Sequence, residues 1–215
     1  MRFADRTDAG RRLASRLLDY AGQPGVVLGI PRGGVVVAAE VARRLALPLG
    51  IVPVKKVPCP LNPELAVGAV AADGSEVINR EAVRTLLIDE AELRASVAAS
   101  LEEARRRDAL YRWRPPPLEH KVAIVVDDGL ATGYTAMAAV RYVRRLGARP
   151  IVVAAPVAAR LSAVLLASEC DRLVTLMLPD DLESVGAWYD NFSPTTDEQV
   201  IALLQAFSAP PTSAE

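Results

Sequence analysis

Two adjacent acids, Asp127 and Asp128, stand directly after a run of β-formers and directly before a turn rich in glycine and threonine. The segment reads Val122-Ala-Ile-Val-Val-Asp-Asp-Gly-Leu-Ala-Thr-Gly-Tyr-Thr135, and the helical run Ala136 to Leu146 follows it. A strand that opens through such a turn into a helix has a physical logic. The amides of Gly129, Leu130, Ala131, Thr132, Gly133, Tyr134 and Thr135, together with the free N–H groups of the helix start, can converge on one spot that suits a phosphate. The hydroxyls of Thr132 and Thr135 add donors, and Gly129 and Gly133 permit positive φ and close backbone approach. The two carboxylates would repel the phosphate itself. They suit what lies beside it: sugar hydroxyls and a hydrated Mg²⁺, held through water. The competing reading is an ordinary strand-to-helix connection with two capping aspartates.

A second constellation lies upstream. Gly29-Ile-Pro-Arg-Gly-Gly34 offers a tight turn, the amides of Gly33 and Gly34, and the forked donors of Arg32, which grip phosphate oxygens. The segment fits neither Gly-x-Gly-x-x-Gly nor Gly-x4-Gly-Lys-Ser/Thr, so dinucleotide and nucleoside-triphosphate sites lose support. Lysine is scarce in this chain, yet Lys55 and Lys56 are adjacent at an expected strand end. Period-two alternation would send them to opposite faces, so one of the two is expected to reach a polyphosphate. A solvated pair and a plain turn are the alternatives for these two segments.

The elements that must hold these residues are legible as alternating strands and helices. Strands are expected at Gly25 to Ile30, Ile51 to Val57, Ala66 to Ala71, Glu76 to Ile78, Val122 to Val126, Ile151 to Ala155 and Leu173 to Leu178. Helices are expected from a Thr7 or Asp8 cap to about Asp19, over Val35 to Leu45, and from Arg80 to Arg112 with a break near Asp89. Others should cover Ala136 to Leu146 and Ala158 to Ala167, and run from a Thr196 or Asp197 cap to about Phe207. Arg105-Arg-Arg107 reads as a solvated helix face. The pattern predicts an α/β fold, a mainly parallel central sheet with helices on both faces, in one domain over 1–208 with a mobile 209–215 tail. Ligands in such sheets lie beyond the C-terminal strand ends, where both constellations stand.

Composition narrows the classes. Of 215 residues, 51% are hydrophobic and 24% charged, with a formal net charge of −1, a globular profile without an overall basic field for nucleic acid. Ile151 to Ala167 is the most membrane-like stretch, but Pro156 and Arg160 interrupt it, so no membrane partner is expected. The start is charged and lacks a signal-peptide core, and Cys59 and Cys170 form no spacing motif, so a reduced, cytoplasmic setting is expected. With His120 alone, a zinc site or a His-based triad has little to be built from.

The strand, acid pair and loop ending in Thr132-Gly-Tyr-Thr135 resemble the phosphoribosyl diphosphate (PRPP) motif of the type I phosphoribosyltransferases. Phe3-Ala-Asp-Arg-Thr-Asp-Ala-Gly10, Asn62-Pro-Glu-Leu-Ala-Val-Gly-Ala-Val70 and Ser184-Val-Gly-Ala-Trp-Tyr189 are similar to segments of a group of bacterial proteins with that domain. The resemblance implies displacement of pyrophosphate from C1 of PRPP by a nitrogen nucleophile, with Mg²⁺ as cofactor. Gly129 to Thr135 would anchor the 5′-phosphate, Asp127 and Asp128 the ribose, and Arg32, Gly33 and Gly34 the pyrophosphate. Arg32 and Lys55 or Lys56 would take the departing charge. Val57 to Gly74 corresponds to a mobile loop, stiffened here by Pro58, Pro60 and Pro63. A hood over 179–195 would hold the acceptor, with Trp188 or Tyr189 stacking on it or serving instead as satellite core or an oligomer contact. Hypoxanthine-guanine enzymes carry an aspartate where this chain has Ala131, so a base must come from elsewhere, Glu64, Asp73 and Asp190 being the candidates. The partners implied are PRPP and a small-molecule acceptor, with a homodimer left open. The alternative class is a PRPP- or nucleotide-binding regulator without catalysis.

Overall fold

The computed structural model describes residues 2–208, with the side chain of Ser208 left aside; the expected 209–215 tail lies outside the described residues. In chain order the elements are α1 (Arg6–Ala14), β1 (Gly25–Gly29), α2 (Gly33–Leu45), β2 (Leu49–Ile51), β3 (Val54–Cys59), β4 (Asn62–Ala71), β5 (Glu76–Ile78), α3 (Arg80–Thr85), α4 (Glu90–Tyr111), β6 (Val122–Val126), α5 (Tyr134–Arg145), β7 (Ile151–Val157), α6 (Arg160–Ala167), β8 (Arg172–Met177) and α7 (Asp197–Ser208). A five-stranded sheet has the order β2-β1-β6-β7-β8, and every neighbouring pair in it is parallel.

The sequence of β6 explains why it lies at the centre. All five of its residues are buried, because both faces of the sheet are covered. Alternation sends Ala123 and Val125 to one core, with Ala136, Ala139 and Val143 of α5. Val122, Ile124 and Val126 enter the other core, against Leu13 of α1, Val37 and Val41 of α2, and Val200 of α7.

A second sheet, antiparallel in the order β3-β4-β5, sits beside the first. Ala69 and Ala71 of β4 join the α5 core, while Val70 turns the other way to Val83 of α3 and Leu93 of α4. The expected single strand from Ile51 to Val57 is therefore two strands of different sheets, separated at Val52-Pro53, where proline removes a ladder donor. The segment Val57 to Gly74, expected as a loop, holds regular structure. Val57 to Ala71 is mostly a paired hairpin, with register shifts on either side of Pro58.

Other boundaries moved for local reasons. The cap of α1 is Asp5, whose Oδ1 accepts from Asp8 N at 2.8 Å, rather than Thr7 or Asp8. That helix stops at Ala14, and Leu18 to Tyr20 forms a separate 3₁₀ turn. The break near Asp89 is a cap, since its side chain accepts from Ala91 N and Glu92 N. No helix among the described residues is long and apolar enough to cross a membrane.

Candidate functional site

The C-terminal ends of β1 and β6 open into a cavity of about 590 Å³. Its walls include Arg32 and Gly33, Lys55 and Lys56, Asp127 and Asp128, Gly129, Ala131, Thr132, Gly133 and Thr135. Most of the residues chosen from sequence thus meet in one place, through strand ends that the parallel sheet sets side by side.

The loop after β6 is strapped down from outside. Leu130 N donates to Val157 O at 2.9 Å, Ala159 N donates to Leu130 O at 2.8 Å, and Ser162 Oγ donates to Ala131 O at 2.5 Å. The amides of Gly129, Ala131, Thr132 and Gly133 have no hydrogen-bond acceptor among the described residues. Gly133, at φ +77°, turns the chain into α5, whose first amides lack intrahelical partners. A constrained loop that leaves its amides unpaired beside a helix start is built to receive an anion. Two loop residues serve as scaffold instead. Leu130 is 1% exposed in the core, and the Tyr134 hydroxyl accepts from Asn79 Nδ2; neither borders the cavity.

The two acids are held differently. Asp127 Oδ1 accepts from Asp128 N at 2.9 Å, and Thr135 Oγ1 approaches Asp127 Oδ2 at 3.4 Å. Burial, then the like charge of Asp128, pushes the Asp127 carboxyl well above its ordinary pKa. Asp128 is paired instead. Arg6 Nε donates to its Oδ2 at 2.8 Å, and the Tyr189 hydroxyl donates to its backbone carbonyl at 2.6 Å.

After β1, Arg32 and Gly33 border the cavity but Gly34 does not. A Cβ on Gly34 would lie 2.8 Å from Val126 O and 2.9 Å from Asp127 Cα, so this glycine lets α2 pack against the end of β6. Arg32 is 41% exposed, with its nearest acid, Asp197, at 3.9 Å. Lys55 and Lys56 lie within β3 rather than at a strand end, and both border the cavity, against the expectation that one would. Burial, followed by the Arg107 charge, lowers the Lys55 pKa. Arg107 itself corrects the reading of Arg105 to Arg107 as a solvated face. Its side chain is 15% exposed, is paired with Glu103 at 3.0 Å, and borders the cavity.

The hood is where the sequence misled most. Tyr189 is 2% exposed and packs on Phe3 and Phe192, with ring centroids 5.3 and 5.0 Å apart. It cannot stack on a ligand. Trp188 opens on a different surface hollow with Arg2, Asp181 and Glu183. The hood residues that reach the cavity are Ser184, Val185, Gly186, Phe192, Pro194 and Thr195. Val185 presses on the loop so closely that a Cβ on Gly129 would come within 2.4 Å of it. The candidate bases also fall away. Glu64 is on the exposed half of β4, Asp73 is bonded to Ser75, and Asp190 is paired with Arg2; none borders the cavity.

An open parallel sheet flanked by helices, with an acid pair and a cationic rim at its strand ends, defines an α/β protein. The chain belongs to the phosphoribosyl transferase domain family, whose model matches residues 4–186. It is 43% identical over 204 residues to "Putative phosphoribosyl transferase Rv0571c" of Mycobacterium tuberculosis (strain ATCC 25618 / H37Rv), and to MT0597 of strain CDC 1551 / Oshkosh. Each match covers 94% of this chain but only 46% of the relative, so the chain spans about half the length of those curated relatives. Among solved structures, TT1426 from Thermus thermophilus is 41% identical with a TM-score of 0.79, covering 96% of this chain and 99% of its own. AQ2163 from Aquifex aeolicus, at 13% identity and a TM-score of 0.54 over 84% of this chain and 78% of its own, shares the fold.

Proposed function

We propose that the chain transfers the phosphoribosyl group of PRPP to a nitrogen nucleophile on a flat, nucleobase-like acceptor and releases pyrophosphate. The observation that carries this reading is the meeting of three features in one cavity: the unpaired amides of Ala131 to Gly133 for one anion, the Asp127–Asp128 pair for sugar hydroxyls, and the cations Arg32, Lys55, Lys56 and Arg107 for a second anion. A sugar bearing a 5-phosphate at one end and a pyrophosphate at the other matches that order.

In this reading the amides and hydroxyls of Gly129 to Thr135 hold the 5′-phosphate, and the acid pair orients the ribose hydroxyls. The C1–O bond to pyrophosphate breaks with its electron pair leaving on pyrophosphate, the acceptor nitrogen's lone pair forms the C1–N bond, and the proton of that nitrogen passes to water or to the departing pyrophosphate. Arg32, Gly33 N–H, the two lysines and Arg107 stabilise the leaving charge, which is the larger part of such catalysis. Phe192 and Val185, in place of Trp188 and Tyr189, supply the apolar wall beside the acceptor.

The acid pair fits a magnesium ion. Asp127 is buried next to a like charge that a cation would offset, and no cluster of three or more metal-ligating residues occurs among the described residues. Two carboxylates plus substrate oxygens are the usual Mg²⁺ environment, so Asp127 and Asp128 would hold the ion through water and alongside PRPP. When bound, the ion would supply positive charge to the pyrophosphate and ribose oxygens.

A second reading, a PRPP- or nucleotide-binding regulator, has its own support. The only carboxylates bordering the cavity among the described residues are Asp127 and Asp128, which leaves no separate base for the acceptor's proton. Calorimetry with Mg²⁺ and PRPP tests what the two readings share. Wild type should bind, and Asp127→Ala with Asp128→Ala should reduce affinity at least about a hundredfold, the loss of two charge-assisted contacts. Absence of binding by wild type, or unchanged binding in the double variant, overturns both. Pyrophosphate release over a panel of bases and amines then separates them, binding without turnover favouring the regulator.

A further inference from the structure

Arg6 is the cavity cation to which the transfer reaction assigns no task, and it is held more tightly than the others. It is the first residue of α1, and its guanidinium meets three partners at the end of β6 and in the hood. Its Nε donates to Asp128 Oδ2 at 2.8 Å, with the two side chains 11% and 17% exposed. Its Nη1 donates to Ser193 O at 2.8 Å, and its guanidinium carbon lies 3.8 Å over the Phe192 ring. The ion pair also rests on Gly33, where a Cβ would come within 2.0 Å of Asp128 Oδ2 and 2.7 Å of Arg6 Nε. Asp128 is thus gripped at its carboxylate by Arg6 and at its backbone by the Tyr189 hydroxyl. The neighbouring Asp127 has no cationic side chain bonded to it among the described residues.

We propose that Arg6 is a positioning residue that fixes the Asp128 carboxylate toward the sugar hydroxyls and so sets which pentose 5-phosphate the site accepts. The proposal rests on the PRPP reading for the kind of ligand, and it places sugar selectivity in the N-terminal helix. A carboxylate free to rotate can accept from hydroxyls of either configuration at a ring carbon. One whose Oδ2 is committed to a stacked, doubly anchored guanidinium offers Oδ1 in a single direction, and the hydroxyl of the wrong configuration then lacks its partner. An ion pair that only stabilised the fold would weaken every sugar phosphate alike when removed. A positioning pair changes the ratio between them.

The experiment compares the full chain with Arg6→Met and Arg6→Lys by calorimetry in Mg²⁺. The probes are ribose 5-phosphate, arabinose 5-phosphate and xylose 5-phosphate, the last two inverted at C2 and at C3. Wild type should prefer the ribose form over at least one epimer by about tenfold, the effect of one hydrogen bond to a charged group. In Arg6→Met, with circular dichroism showing the fold retained, that preference should shrink to about twofold or less, and Arg6→Lys should recover part of it. Arg6→Gln carries the same comparison if Arg6→Met does not fold. A folded variant that keeps the wild-type ratio overturns the proposal, as does a wild type without preference. If wild type binds PRPP but the ratio survives in the variant, Arg6 alone is misassigned. If wild type binds neither PRPP nor any pentose phosphate, the underlying reading fails with it.

Discussion

Gly33 shows how little room the site leaves at the level of single atoms. Its backbone needs no positive φ, so alanine suits its place as the first residue of α2; the obstacle is the Arg6–Asp128 pair lying where a methyl group would go. Gly33→Ala should therefore fold with a melting temperature within a few degrees of wild type, while PRPP affinity falls at least about tenfold as the pair is displaced. Thermal denaturation alongside calorimetry checks both halves, and unaltered affinity would show that the pair tolerates displacement. At this scale the sequence was legible where the chemistry is contiguous. Asp127 to Thr135, Leu130 and Tyr134 apart, could be placed at one cavity in one pass, because they are contiguous in a strand-loop-helix unit. Arg6 could not, since its bond to Asp128 joins residues 122 positions apart. The only available signal was its place in the Phe3 to Gly10 segment, which marks a resemblance without assigning a role. Gly33 and Gly34 look equivalent in sequence, yet one faces the cavity and the other packs on Asp127.

At the level of elements, the strand-loop-helix unit from β6 to α5 followed its pattern closely, because hydrophobic periodicity and turn chemistry agree there. The hood did not, for a physical reason. Residues between β8 and α7 have no extended period, so nothing in the sequence decides which neighbouring aromatic faces inward. Tyr189 became the buried anchor, with a hydroxyl that burial pushes to a raised pKa, and Phe192 took the cavity side. The division of Ile51 to Val57 between two sheets was equally hidden, since both strands and the intervening Val52 are apolar and buried. Tyr189→Phe isolates the anchor's polar contact. It keeps the ring packing and removes only the donor to Asp128 O, so stability should fall by about 1 kcal/mol, a shift of roughly 2–4 °C at this chain length. The same variant should weaken PRPP by several-fold through Asp128. Differential scanning calorimetry and titration measure the two effects, and a change in neither would remove Tyr189 from the site's support.

Across the whole molecule, charge is segregated rather than abundant. The formal net charge is −1, yet among the described residues Arg6, Arg32, Lys55, Lys56 and Arg107 border one cavity against Asp127 and Asp128 alone. A polyanion would be drawn to that cavity by a local field that the chain's overall charge conceals. Raising ionic strength from about 0.05 to about 0.5 M should weaken PRPP binding several-fold, because screening shortens to a few ångströms. Titrations at the two salt levels test this, and salt-independent affinity would mean that short hydrogen bonds carry the binding.

The wall over the cavity is sewn from two distant stretches of chain. Phe3 N donates to Trp188 O, Asp190 N donates back to Phe3 O, and Arg6 meets Ser193 across 187 positions. During synthesis the first of these stretches leaves the ribosome early and must wait for the second. The loop between β6 and α5 is strapped by residues 157 to 162, so its supports are all synthesised before the hood stretch. The roof of the cavity therefore depends on a closure between residues 187 positions apart, the longest-range contact that the cavity wall makes among the described residues.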